Sequence, residues 1–229
     1  MKKLSNNQLK LIALLCMTLD HVGMILFPRC LELRMIGRLA MPIFGFMIAE
    51  GCAHTSDKKK YLLSLVSMAA LCQLVFFIAE GSLYQCIFVT FSLSVVLIYL
   101  VQQAETAPNA KNFLFLGLGV LATWLLTEGI PMWEHNTDYA VDYGFFGVLL
   151  PVCVYIAPTL LGKLIAAGLC LSAISYLGWQ YQWLSLLTLP LLALYSGKRG
   201  KWQLKWLFYW YYPAHLVLLH GISLLLQKI

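Results

Sequence analysis

Charge is what this chain has least of. Asp, Glu, Lys and Arg make up 11% of its 229 residues and 61% are hydrophobic, where a soluble domain carries roughly 25% charged residues. So few charged side chains cannot cover a soluble globule of this size, and that class is excluded. Sequence signatures of the common catalytic machines are missing too. There is no GxxxxGK followed by Ser or Thr, no HExxH, no GxSxG and no CxxC, which removes support for phosphate-loop ATPases, zincins, elbow-type hydrolases and thiol redox enzymes. The seven cysteines, at 16, 30, 52, 72, 86, 153 and 170, lie mostly within apolar runs. They read as small packing residues rather than zinc ligands or a disulfide framework. No internal repeat, linker, low-complexity stretch or soluble domain breaks the pattern, so a single integral-membrane domain over 1–229 is expected. Met1-Lys2-Lys3 could open a leader, but the run behind it holds Asp20 and His21 and lacks a small-residue cleavage site. It reads as a first span rather than a cleavable signal.

What the chain has is apolar runs of about the 20 residues that cross the hydrocarbon core as helix. The fold class expected is all-α, a polytopic transmembrane helical bundle of about nine spans: 9–27, 36–54, 60–79, 83–103, 112–129, 143–158, 159–177, 179–195 and 203–226. Pro131, Pro158 and Gly197 with Gly200 punctuate the breaks. With the N-terminus cytoplasmic, the inner segments hold Lys2, Lys3, Lys10, Lys58, Lys59, Lys60, Lys111, Lys163, Lys198, Arg199, Lys201 and Lys205. The outer ones hold Arg29, Arg34 and Lys228, and Arg38 stands at the start of a span. The positive-inside rule then predicts N-terminus in, C-terminus out. It also accounts for the net charge of +6 without a nucleic-acid partner; the partners expected are membrane lipids and whatever is handled at the bilayer.

Against this apolar background, ionisable residues inside the runs carry information, because each costs several kcal/mol at bilayer depth and persists to pair or to work. Asp20-His21 interrupts the first run and Arg38 the second. Neighbouring helix positions are turned about 100° apart, so only one of Asp20 and His21 can face straight inward. A neutral imidazole suits a general base near pH 7, which favours His21 as the reactive group. Asp20 is then its electrostatic neighbour or the ligand of a nearby Arg. The plainer alternative is a polar pair that merely joins two helices. Lys10 precedes His21 by eleven residues, about 16 Å along nearly the same face; it is either a cation for a donor's phosphate or a snorkelling lysine at the membrane edge. Arg34 and Arg38 share a face and suit phosphate, carboxylate or a developing oxyanion, or a salt bridge to Asp20. Pro42 is placed to open the helix ladder. Glu50 and His54 read as a proton path or as polar lining of a donor tunnel. Asp142, beside Tyr143, would cap the sixth span or bind an incoming amine. Tyr211 and Tyr212 share a face with His215, a deeper candidate than His220 or His135.

These motifs resemble the TraX family, the pilin acetylases of conjugative plasmids and their bacterial relatives. The resemblance rests on Leu9-Lys10-Leu11-Ile12-Ala13, Leu19-Asp20-His21-Val22-Gly23, Ile36-Gly37-Arg38-Leu39-Ala40-Met41-Pro42-Ile43-Phe44, Ala49-Glu50-Gly51, His54-Thr55, Asp142-Tyr143-Gly144, and Phe208-Tyr209 with Tyr212-Pro213-Ala214-His215-Leu216. Leu62-Leu63-Ser64 stands where the family tends to have an Arg, and Gln85-Cys86 where it often has an Asn. The family is similar to the wider class of transmembrane acyltransferases, in which a cation on the first span precedes a reactive His.

The resemblance implies acetyl transfer from cytoplasmic acetyl-CoA to an acceptor at the outer face of the bacterial inner membrane. In conjugative members that acceptor is a pilin N-terminus; a hydroxyl, small peptide or glycan are the other options. The catalytic set expected is His21, Asp20 and Arg38. Lys10, Arg34, Glu50 and His54 fall on the donor side, and Asp142, Tyr143, Tyr212 and His215 on the acceptor side. Acyl transfer needs a base and oxyanion donors, so no metal is expected. The competing reading from the same residues is a proton-coupled transporter, although no inverted repeat shows.

Overall fold

The computed structural model describes residues 4–134, 136–178, 180–198, 200 and 205–226. Lys2, Lys3, His135, Arg199, Lys201 and Lys228 lie outside them, as do the start of the 203–226 span and the side chains of Lys205 and Tyr209. The chain is helical, with no named strand among the described residues. It forms two compact units, Met1–Met47 with Leu171–Ile229, and Ile48–Cys170.

In the first unit, α1 (Asn6–Ile25) begins at Ser5 with a reciprocal cap: the Ser5 hydroxyl accepts from the Gln8 N–H, and the Gln8 side chain accepts from the Ser5 N–H. Two amides at the helix start, those of Ser5 and Gln8, are thereby satisfied. It packs against α2 (Leu31–Gly37) and against α11 (Lys205–Leu226). The approach to α2 is close enough that a Cβ at Gly37 would collide with the Asp20 side chain. A glycine there is what lets the carboxylate lie against the end of α2. The predicted 36–54 span is instead α2 followed, after a break at Arg38-Leu39, by α3 (Ala40–His54). Arg38 therefore sits at a break inside a 24-residue apolar stretch, Leu31–His54, and not at the start of a span. Pro42 is the third residue of α3, where its missing N–H would have had no partner anyway. It does not open the ladder.

The predicted 179–195 helix is not continuous either. Gln180–Leu187 is a 3-10 helix, followed by the short α10 (Thr188–Ala193). Pro190 accounts for part of this, because its ring would clash with the Leu186 carbonyl in an unbroken α-helix.

The second unit is built on α5 (Ile87–Thr106), which packs against α4 (Lys58–Glu80), α6 (Ala110–Trp124) and α8 (Gly144–Ile156). Hydroxyls make the cross-helix bonds: Ser94 Oγ lies 2.8 Å from the Val148 carbonyl, and Thr90 Oγ1 2.6 Å from the Asp142 carbonyl. Small hydroxylated residues serve this purpose where no water is available. A π-turn, Leu125–Gly129, joins α6 to α7 (Ile130–Trp133). It widens the helix where Pro131 would otherwise meet the Thr127 carbonyl. The loop before α8 is pinned at Asp138, which accepts from Ser82 Oγ (2.5 Å) and the Leu83 N–H (2.9 Å); these two donors hold its carboxyl below the usual carboxylate range. The unit also contributes α9 (Leu160–Leu177) up to Cys170.

Among the described residues, six stretches are long and apolar enough to cross a membrane: α1, Leu31–His54, Lys58–Ile78, α5, Ala110–Trp133 and α9. Gly144–Ile156 and Trp210–Leu226 are shorter apolar helices. All seven cysteines are free, and all but Cys30 and Cys153 are buried.

A histidine pair beside an arginine-bound aspartate

The first unit brings His21 and His215 together. α11 carries His215 one turn after Tyr211, and the imidazole Nδ1 bonds the Tyr211 carbonyl at 2.8 Å. A carbonyl only accepts, so Nδ1 carries the proton and the neutral ring's Nε2 is left as an acceptor. That Nε2 lies 3.0 Å from His21 Nδ1. His21 Nδ1 must then be the donor, and His21 Nε2 holds the free lone pair. The Met17 carbonyl one turn earlier also accepts from the His21 ring, and the only proton a neutral ring has to give is the one on Nδ1. Sequence separation is 194 residues, yet the outcome is the base-plus-orienter pattern of an activated site.

Aromatic rings fix both imidazoles. Tyr211 stacks on His215 at 5.2 Å, and Tyr212 presents its edge to His215 at 5.4 Å and to His21 at 5.8 Å. One turn before His21, Thr18 Oγ1 bonds both the Leu14 carbonyl and Tyr211 Oη at 2.8 Å. The first bond uses the threonine's proton, so the tyrosine donates in the second. His215 and Tyr212 are buried, at 6% and 7% exposure.

Asp20 turns to the arginines and not to His21. Its Oδ1 accepts from Arg38 Nη2 at 2.7 Å and pairs with Arg34 Nε at 3.6 Å. Arg38 Nε donates to the Arg34 carbonyl at 3.3 Å, and Nη1 to Gln182 Oε1 at 3.2 Å. Of the two roles open to Asp20, the geometry is that of an arginine ligand. Lys10 lies at the other end of α1, with Nζ 5.6 Å from the centre of the Phe208 ring, a cation–π distance.

Glu50, His54, Asp142 and Tyr143 belong to the second unit. Glu50 is buried and bonded to Lys163. His54 is exposed, with Nδ1 at 2.9 Å from the Glu50 carbonyl in the last turn of α3. Asp142 accepts from Tyr84 Oη at 2.7 Å. It does not cap α8, because the cap position falls to Tyr143, which adopts a left-handed conformation (φ 61°) followed by Gly144 (φ 56°). The chain thus turns away from Asp142, and Glu128 from the π-turn accepts the Phe145 N–H at 2.8 Å instead. A Cβ at Gly144 would press on that carboxylate, which with its positive φ explains the glycine.

Sequence reasoning gave no site role to Thr18, Lys163, Glu128, Gln182 or Ser185. The last two had a signal: Gln182, Ser185 and Thr188 recur every third residue within an apolar stretch.

The fold and this pair define a polytopic helical membrane protein with two hydrogen-bonded histidines, one of them on its first helix. The chain belongs to the TraX protein family, which it matches over residues 5–223. It is similar to the probable fimbrial assembly protein FimC, serogroup H1, of Dichelobacter nodosus, with 27% identity across 96% of each chain. A shorter likeness, 50% identity over 38 residues, covers 17% of this chain and 15% of an uncharacterized protein of Rickettsia prowazekii. No solved structure matches the chain.

Proposed function

We propose that the protein is an integral-membrane acetyltransferase of the bacterial cytoplasmic membrane, moving acetyl from cytoplasmic acetyl-CoA to an acceptor amine or hydroxyl at the outer face. The observation that carries this reading is the His21 Nδ1 to His215 Nε2 hydrogen bond, which with the Tyr211 carbonyl leaves the lone pair of His21 on Nε2. His21 Nε2 takes the acceptor's proton as its nitrogen or oxygen attacks the thioester carbonyl. The tetrahedral oxyanion then collapses, the C–S bond breaks, and the departing thiolate recovers the proton from the imidazolium. His215 steadies that transient charge through the Nδ1 hydrogen bond. Arg38, beside the reactive turn of α1, favours negative charge on the reacting oxygen. Lys10 and Arg34 supply cations for the donor's phosphates, and Tyr212 a contact on the acceptor side. The fimbrial assembly role in the name of the Dichelobacter relative supports a pilin as acceptor.

The orientation proposed keeps the N-terminus and Lys10 cytoplasmic and the C-terminus outside, with nine crossings in all. An alkaline phosphatase fused after residue 229 is expected to be active; an inactive but well-expressed fusion would reverse the position of the C-terminus. Transport by the same residues is less well supported, since Asp20, Glu50 and His54 each hold a fixed local partner.

The decisive experiment is transfer. Purified protein in detergent, given radiolabelled acetyl-CoA and a peptide with a free N-terminus or a hydroxyl acceptor, is expected to label the acceptor. A folded wild type that neither binds acetyl-CoA nor labels any acceptor overturns the reading.

A further inference from the structure

The 3-10 helix Gln180–Leu187 is unusually long, since such helices rarely exceed three or four residues. It turns once every three residues, so Gln182, Ser185 and the following Thr188 fall on one face. All three are buried, at 4%, 0% and 0% exposure. A polar stripe sealed inside an apolar protein should have its hydrogen bonds made internally. Thr188 complies, donating its hydroxyl to the Ser185 carbonyl at 2.6 Å. Gln182 complies at one end only. Its Oε1 accepts from Arg38 Nη1, and because a guanidinium can only donate, the amide cannot be reversed. Among the described residues, its Nε2 is left as a donor group with no partner, and Ser185 Oγ has none either. Burying donors unpaired is costly, and the chain also gives up regular α-helix to present them in register.

What would complete these groups is a small acceptor oxygen. The neighbouring Arg38 makes the place more favourable as that oxygen gains negative charge. Resting on the acetyl-transfer reading, we propose that Gln182 Nε2 and Ser185 Oγ, beside Arg38, cradle the carbonyl oxygen of the acyl group and steady it as it becomes the tetrahedral oxyanion. His21 and this face then divide the work: one moves the proton, the other holds the oxygen. The 3-10 geometry places two donors one turn apart, where an α-helix would rotate them off a common line.

The test uses full-length protein in lipid nanodiscs, with Gln182→Glu, which keeps the oxygen that Arg38 needs and removes the amide donor, and Ser185→Ala. Binding is measured for acetyl-CoA and for S-ethyl-coenzyme A, a thioether of the same shape without the carbonyl. Wild type is expected to prefer acetyl-CoA, and each variant to lose most of that preference. Turnover should fall by about a hundred-fold, the usual consequence of deleting one oxyanion donor. The melting temperature of unliganded Ser185→Ala should be unchanged or higher, because the hydroxyl it loses has no partner among the described residues. Wild-type discrimination and turnover in both variants would overturn the cradle and leave acetyl transfer standing. So would a Ser185→Ala variant that melts early yet turns over normally, or failure of both variants to fold. A wild type that binds neither ligand and transfers nothing removes the acetyl-transfer reading itself and this inference with it.

Discussion

Replacing His21 with alanine is expected to lower the rate of acetyl transfer by about a thousand-fold, within the range that a positioned general base supplies. Acetyl-CoA binding should change little. The physical reason is the tautomer. The Tyr211 carbonyl fixes the proton of His215 on Nδ1, which forces Nε2 to accept from His21 Nδ1, and the basic lone pair of His21 is thereby committed to Nε2. Single-turnover transfer of labelled acetyl measures this step apart from product release. A His21→Ala variant that still turns over at a tenth of the wild-type rate would remove the imidazole from the chemistry.

His215 is a positioning residue in this scheme, and its substitution should separate cleanly from that of His21. His215→Ala leaves Nε2 of His21 in place but no longer dictates the tautomer, so about a ten- to hundred-fold fall in kcat is expected with KM nearly constant. His215→Gln puts an amide oxygen near the former Nε2 and should recover part of the loss. A purely structural role would give no such recovery in kcat and would show instead as loss of folded protein.

How much of this could be read from sequence differs from residue to residue. The first helix and its ionisable pair were plain, because charge in an apolar run has few explanations and the flanking residues keep helical spacing. α4, α5 and α9 follow for the same reason, being long apolar stretches with clear ends. The partner of His21 was visible only as a candidate. Nothing local says that a histidine 194 residues away will lie on it, since helix–helix pairing in a membrane depends on shape rather than on hydropathy. The break at Arg38-Leu39 escaped because both sides of it are apolar and a hydropathy window averages across two residues. The 3-10 stretch escaped in the same way: its apolar content matches a span, while the polar period of three inside it marks the tighter winding. At Asp142 local capping preference pointed to the wrong carboxylate, because the left-handed turn at Tyr143-Gly144 redirects the chain and Glu128 arrives from a distant segment.

The other large effect is expected at the Asp20–Arg38 pair, each member of which is only 16% exposed. Asp20→Ala would leave the Arg38 and Arg34 guanidiniums facing one another with no anion between them. Removing one partner of a buried pair costs about 3–5 kcal/mol, and equilibrium unfolding in detergent should show a loss of that size. Arg38→Gln strands the carboxylate but leaves Arg34 at 3.6 Å, so its cost should be smaller. Combining Asp20→Asn with Arg38→Gln removes both charges while keeping similar shapes, and much of the stability should return. The double variant also separates the two duties assigned to Arg38. If the pair only clamps α1 to the end of α2, restored stability restores transfer. If Arg38 also favours charge on the reacting oxygen, the double variant folds, binds acetyl-CoA and remains slow by about a hundred-fold. The second outcome is the one expected, because Arg38 spends one nitrogen on Asp20 and a second on Gln182, and so ties the first helix to the face whose donors have no partner among the described residues.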